Sequence, residues 1–218
     1  MRTFEELYDI AHARHGDALT EKIGNSPDQA PLLEIPEDRW LSMFTRMVFC
    51  AGFNWKVIDA KWEGFEAAFY GFDVGRCAFM DDEWLDELLR DTRIVRYGAK
   101  IQAVRDNAVF LMDLREQGGA GQVIGGWPAT DFIGLLALMK AKGNRLGGTT
   151  GQYGLRLLGK DSFILSKDVV ARLVAEGVIE KTPTSKKALR ATQDAFNEWM
   201  EQSGKSLTYV SRVAALSV

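Results

Sequence analysis

Residues Lys140 to Tyr153 read K-A-K-G-N-R-L-G-G-T-T-G-Q-Y and join two segments of apolar periodicity. From Phe132 to Lys160 there is no acidic residue, yet there are five basic ones: Lys140, Lys142, Arg145, Arg156 and Lys160. A glycine-rich turn between helices, rimmed by cations, is suited to gripping a phosphate backbone. Gly143 is expected to end the first helix in the left-handed conformation. Gly147 and Gly148 allow a tight turn and a close backbone approach. Thr149 and Thr150 are expected to cap the next helix, whose free amides face an anion. The same residues also satisfy a plain helix–helix turn with solvated lysines.

Three further groups of residues have chemical potential. Ala51-Gly-Phe-Asn-Trp-Lys56 follows an amphipathic segment and gathers Phe49, Phe53 and Trp55 around Asn54. Such a cluster is either core or a stacking wall for a flat ligand, with Asn54 reading the ligand's edge. Arg93 to Arg105, with Arg96 and Lys100 between them, is acid-free and has an apolar side; a solvated helix face explains it equally. In Leu165-Ser-Lys-Asp-Val169, Ser166 suits a helix N-cap and Asp168 its first turn. In the sharper reading Asp168 is a carboxylate facing a cleft, where it stabilises a sugar cation.

The elements that position these groups are helical. Trp40, Phe44, Met47 and Ala51 recur at helical spacing, as do Ile101, Val104, Ala108 and Leu111. Phe132, Leu135, Leu136 and Met139 continue the pattern, then Val169, Val170, Leu173 and Val174. Leu189, Phe196 and Met200, and Leu207, Val210 and Ala214, extend it to the C-terminal region. Pro36, Asp81, Pro128 to Asp131 and Thr182 to Ser185 read as helix starts. Gly24 to Pro31 and Gly118 to Gly126 read as loops, and Ser162 to Leu165 as a short extended piece. The expectation is one all-α domain over 1–218, of about nine or ten helices by this spacing, in two lobes with a cleft. Its helix-hairpin-helix covers about 131–159 and a C-terminal helical extension about 160–218.

Composition sets limits. The 218 residues are 46% apolar with a net charge of −3, so the class is globular and no global basic field exists. Nucleic acid must then be met by a local patch. Cys50 and Cys77 read as buried free thiols of a reducing compartment. His12 and His15 have no cysteine nearby to complete a zinc site. No apolar run is of membrane-spanning length, and a cytoplasmic location is expected.

Together these residues resemble the 3-methyladenine DNA glycosylase I family, within the helix-hairpin-helix glycosylase superfamily. The matching residues are Ala51-Gly-Phe-Asn-Trp55, Phe72-Asp73, Asp91, Ile94-Val-Arg96, Lys100-Ile-Gln-Ala103 and Asn107-Ala108. Gly143, Arg145, Gly148-Thr-Thr150 and Tyr153 complete the set. The resemblance spans about Phe44 to Gly159 and implies the helix-hairpin-helix glycosylase fold. It implies a repair hydrolase that flips alkylated adenine out of duplex DNA and cuts its N-glycosidic bond; with no lysine poised as a nucleophile a monofunctional enzyme is expected, without a cofactor and as a monomer. It places Trp55 against the base; Phe49 or Phe53 is expected to complete the stacking wall, with Asn54 the polar reader. It places Gly148, Thr149 and Thr150 on the phosphates; Lys142, Gly143, Arg145 and Gly147 of the same turn are the further expected DNA contacts. Asp168 is the candidate for catalytic electrostatics, with Ser166 the competing register.

The departures from the family pattern are specific. Met47 stands where the family has a glutamate, eight positions before the tryptophan. The N-terminal Cys, Trp and Tyr-His-Asp motif is missing, as are the zinc ligands after Gly159, so no metal is expected. These departures support an alternative, a catalytically weak or inactive damaged-DNA-binding protein of the same fold. A third reading is a helical scaffold whose basic face meets an acidic protein. Substituting Lys142→Glu and Arg145→Glu tests the hairpin directly: duplex affinity is expected to fall, and its log–log salt slope to flatten by about one unit for each phosphate released. Unchanged affinity and slope would rule out the DNA reading of that patch.

Overall fold

The computed structural model describes residues 1–28 and 30–218, with Ala30 described by its backbone. Part of the Gly24 to Pro31 loop therefore lies outside the described residues. Among the described residues there are thirteen α-helices and no strand. In chain order they are α1 (Phe4–His15), α2 (Leu19–Ile23), α3 (Glu37–Cys50), α4 (Trp55–Ala60), α5 (Trp62–Ala68), α6 (Val74–Ala78) and α7 (Asp82–Arg90). There follow α8 (Gly98–Leu114), α9 (Phe132–Lys142), α10 (Gly148–Leu158), α11 (Lys167–Ala175), α12 (Lys186–Ser203) and α13 (Leu207–Leu216). The all-α class is as expected. The count exceeds nine or ten because several helices are a turn or two long, too short for a periodicity to show.

The chain divides into two compact units. One holds residues 1–29, 128–135 and 155–218, and the other holds 30–127 and 136–154. The first unit therefore joins the N-terminal segment to the C-terminal extension. In it α1 packs on α12 and α13, burying Phe4, Leu7 and Ala11. The rings of Phe163, Phe196 and Trp199 form its core, with Phe163 stacked on Phe196 at 4.9 Å. Glu176 accepts from Arg2 at 2.7 Å and from Arg172 at 3.0 Å. The Arg172 guanidinium also donates to the Ser217 hydroxyl at 2.8 Å.

The segment 160–166 is non-helical, as expected for Ser162 to Leu165. It runs along α13 instead of pairing with a strand. Its amides need acceptors once buried, and α13 supplies hydroxyls: Ser162 N donates to Thr208 Oγ1 at 3.1 Å and Ile164 N to Ser211 Oγ at 3.2 Å. Asp161 in turn accepts from the first amides of α13, Leu207 N at 3.0 Å and Thr208 N at 2.7 Å.

In the second unit α3 and α8 pack together with α6 on α8. Trp40, Phe44 and Met47 of α3 are buried as the spacing predicted, together with Leu41 and Val48, whereas Ala51 is exposed because the helix ends at Cys50. Between α5 and α6 the backbone turns through three consecutive left-handed residues, Tyr70 (φ 52°), Gly71 (φ 67°) and Phe72 (φ 61°). Two of these are aromatic, so the turn is strained and something must hold it. Arg39 does so, donating to the Gly71 carbonyl at 2.8 Å while Glu66 accepts both its terminal nitrogens at 2.9 and 3.0 Å.

Helix starts follow the sequence. Asp81 accepts from Trp84 N at 2.8 Å, Ser166 from Val169 N at 3.2 Å and Ser185 from Ala188 N at 3.1 Å. Pro36 precedes α3 as its N-cap instead of lying in its first turn. Gly118 to Gly126 is only partly a loop: Gly121–Gly125 winds into one π-helical turn. Ala120 and Ile124, one helical turn apart and both buried, draw it inward.

Lys160 is buried in the first unit, and burial pushes its ammonium down to about 8 from an ordinary value of 10.5. Between those values the unfolded chain carries a proton that the folded chain has given up. Raising the pH through this window therefore stabilises the fold. The unfolding free energy of the protein minus that of Lys160→Met should climb between pH 8 and 10.5; a flat or falling difference in denaturant melts would contradict it.

Candidate functional site

The second unit contains a hollow of about 150 Å³ lined by Met47, Cys50, Ala51, Trp55, Thr149, Thr150 and Tyr153. The aromatic residue after α3 and the threonines of the hairpin thus share one concavity. Each wall has an identifiable anchor.

The first wall is the end of α3 and the turn into α4. A helix C-terminus leaves carbonyls without partners. Lys100, buried on α8, supplies them: its ammonium donates to Phe49 O at 3.2 Å and to Ala51 O at 2.6 Å. It also lies 4.4 Å from the centroid of the Phe53 ring. Burial, and secondly the nearby Arg145 charge, lowers the pKa of Lys100. Asn54 then caps α4, its side chain accepting from Lys56 N at 2.9 Å. Trp55 is the first residue of α4 and is left 43% exposed, its ring edge-on to Tyr153 at 6.2 Å and 78°.

The second wall is the turn between α9 and α10. Its backbone is pinned to α8 by Asn107, which is fully buried. Asn144 N donates to Asn107 Oδ1 at 2.8 Å, and Asn107 Nδ2 donates to Asn144 O at 3.1 Å. Asn144 Nδ2 reaches Asp106 at 2.6 Å. Leu146 is buried beneath the turn, and Arg145 Nε donates to Ala99 O at 3.3 Å.

The left-handed residues of the turn are Arg145 (φ 61°) and Gly148 (φ 60°), not Gly143. Gly143 continues the α9 hydrogen bonding, its amide donating to Met139 O at 3.0 Å. A side chain there would press on Leu146, whose Cδ1 lies 2.7 Å from the ideal Cβ position. Close packing, not backbone handedness, is the reason for that glycine. Thr149 and Thr150 lie within the first turn of α10 instead of before it, because the helix starts at Gly148. Gly154, one turn beyond Thr150, lets α10 approach α3: a Cβ there would stand 3.2 Å from Met47 Cγ.

Several of the sequence candidates lie elsewhere. Phe49 is fully buried with its ring edge on Phe65 at 4.7 Å and does not line the hollow. Phe53 is 38% exposed and meets Tyr97 edge-on at 6.3 Å. Lys142 and Arg145 are exposed beside the turn. Asp168 is exposed in the first turn of α11, in the other unit. Tyr153 and Cys50 were not among the candidates. Tyr153 was signalled only as the last of the residues that match the family, whereas Cys50 had no signal beyond the turn it precedes. Burial, then the charge of Asp59, pushes the Cys50 thiol up and keeps it protonated.

Among the described residues no group of three or more His, Cys, Asp and Glu is placed to hold a metal. His15 is engaged otherwise, 3.1 Å from Leu216 O and 2.8 Å from the Lys22 ammonium. Among them no helix is long and apolar enough to cross a membrane.

Comparison with known proteins gives consistent relatives. Residues 36–124 match the family described as methyladenine glycosylase. DNA-3-methyladenine glycosylase 1 of Escherichia coli (strain K12) is 34% identical over 83 residues, 38% of this chain and 40% of that protein. The chain thus spans well under half the length of that curated relative. A crystal structure of 3-methyladenine DNA glycosylase I aligns over 70% of this chain and 87% of its own, at 23% identity and a TM-score of 0.47. A mutant of 3-methyladenine DNA glycosylase I from Staphylococcus aureus aligns over 81% and 98%, at 17% identity and a TM-score of 0.48.

Replacing Asn107 by Leu should leave the Asn144 amide and carbonyl unpaired, at about 1–3 kcal/mol each. The expected result is a less stable protein whose Asn144 amide exchanges hydrogen faster than the amides of α8. Unchanged protection of that amide would show that the turn is held by something else.

Proposed function

We propose that this chain, whose residues 36–124 match the methyladenine glycosylase family, releases alkylated adenine of the 3-methyladenine type from double-stranded DNA. The observation that carries the reading is the convergence of Trp55, Tyr153, Thr149 and Thr150 on one hollow. The damaged nucleotide leaves the helix and its base enters that hollow. Flipping costs a few kcal/mol, less at a damaged pair. The exposed turn, with Lys142, Arg145 and the Gly147 to Thr150 backbone, holds the phosphates on either side.

The chemistry asks little of the protein. An N3-alkylated adenine is already cationic and departs as a neutral base, so no strong general acid is required. The rings of Trp55 and Tyr153 meet that cation with about 0.5–2 kcal/mol per contact. As the glycosidic bond breaks, the sugar gains oxocarbenium character and water adds to the anomeric carbon. Phe53 and Asn54 support the Trp55 wall, the latter as the cap that sets the direction of α4. Asp168 is assigned the electrostatic stabilisation of the sugar cation. The lining holds no lysine, and Lys100 is engaged by two carbonyls. This supports a monofunctional enzyme without strand cleavage. It acts as a cytoplasmic monomer and needs no cofactor.

Base release from methylated duplex DNA tests the reading. Trp55→Ala should lower the single-turnover rate roughly tenfold or more, the equivalent of about 1.4 kcal/mol. Asp168→Asn should lower it with little change in duplex affinity. Duplex binding without any release, where a positive-control glycosylase works, would overturn the catalytic reading and leave a damaged-DNA-binding protein.

A further inference from the structure

The C-terminal extension carries a second cationic surface, outside the family segment and outside the hairpin. From Lys181 to Gln193 the sequence K-T-P-T-S-K-K-A-L-R-A-T-Q holds four basic residues and no acid. The structure gathers them at the loop before α12 and in its first two turns. Lys181, Lys186, Lys187 and Arg190 are all exposed. Lys181, Thr182, Thr184, Ser185 and Lys187 face a hollow of about 580 Å³. Glu180 also lines it, and Arg190 stands 3.9 Å from Asp131. The local balance is still positive, in a chain whose net charge is −3.

This arrangement works against the helix that bears it. The start of a helix is the positive end of its macrodipole, where acidic side chains are favourable and cations are not. The first turn of α12 has no acid and begins with two lysines. A feature that destabilises the fold locally points to a function that offsets it. An extended polyanion does so: it meets lysines, an arginine and hydroxyls, the side chains that commonly contact phosphates. An acidic chain, moreover, has no overall field to draw DNA to it and must rely on such patches.

We propose that Lys181, Lys186, Lys187 and Arg190 form a second phosphodiester-backbone contact, binding DNA without regard to sequence or damage. The proposal rests on the DNA reading above and extends the DNA-binding surface beyond the hairpin. Its occupant is the sugar-phosphate backbone of undamaged duplex.

The experiment compares the full chain with a variant carrying Lys181→Ala, Lys186→Ala, Lys187→Ala and Arg190→Ala, using undamaged duplex and fluorescence anisotropy between 50 and 200 mM salt, on the order of the range where counterion release is steep. Affinity should fall about tenfold or more, and the log–log salt slope should drop by about one unit for each phosphate no longer held. A second variant with Lys181→Arg, Lys186→Arg and Lys187→Arg keeps the charge and should bind as the unaltered protein does. If the alanine variant does not fold, the pair Lys186→Ala and Lys187→Ala carries the comparison. A folded alanine variant with unaltered affinity and slope overturns the proposal, including in favour of an acidic protein partner. Base release by the unaltered protein is measured separately: binding that depends on the patch, with no release, keeps this surface and overturns the enzyme reading alone.

Discussion

Two side chains of one helix carry the candidate site. Lys100 and Asn107 lie seven residues apart on α8, which is two turns, so both project from the same face. Each binds main chain instead of side chain. Lys100 holds the end of α3, and Asn107 holds the turn between α9 and α10. The walls of the hollow come from segments about a hundred residues apart, and α8 is the ruler that sets them opposite each other. Helical rise is fixed at about 1.5 Å per residue, so the spacing of the anchors tolerates no insertion between them.

The two anchors differ in what their burial demands. Asn107 is neutral and its hydrogen bonds with Asn144 are reciprocal, so little polarity is left unsatisfied. Lys100 brings a charge into a buried position, and its lowered pKa records that burden. The burden is met by carbonyls at the negative end of α3, where the macrodipole favours a cation, and by the Phe53 ring. The arrangement explains why a turn rich in small residues, Ala51 and Gly52, holds the exposed Trp55 in a defined place. Both hydrogen bonds of the Lys100 ammonium go to main-chain carbonyls, which gives it a structural duty at the end of α3.

Much of this was legible in the sequence, though not the duties of individual residues. Helical periodicity located α3, α8, α9, α11, α12 and α13, and cap residues such as Asp81, Ser166 and Ser185 sit at their helix starts. Lys100 and Asn107 were recognised as parts of a pattern, K-I-Q-A-x-x-x-N-A, without the reason for it. The reason is tertiary: a lysine that caps another helix and an asparagine that imitates a backbone strand have no local signature. Phe49 illustrates the same limit. It stands one residue before Cys50, which lines the hollow, yet its ring turns into the core because Phe65 of α5 is there to receive it. The left-handed run Tyr70 to Phe72 was invisible because only Gly71 favours that conformation. Arg39, far earlier in the chain, imposes it on the two aromatic neighbours.

The unit built from residues 1–29, 128–135 and 155–218 has a bearing on how the polypeptide is made. During synthesis α1 emerges well before α12 and α13, which later cover Phe4, Leu7 and Ala11. These partners follow only after every residue of the other unit. The middle unit, by contrast, is complete once Gly154 has emerged. Translation at about 5–20 residues per second leaves α1 waiting for roughly ten seconds or more. The nascent chain thus spends that interval with a finished site-bearing body and with α1 covered by α2 but not yet by α12 and α13, a natural client for a chaperone that shields apolar surface.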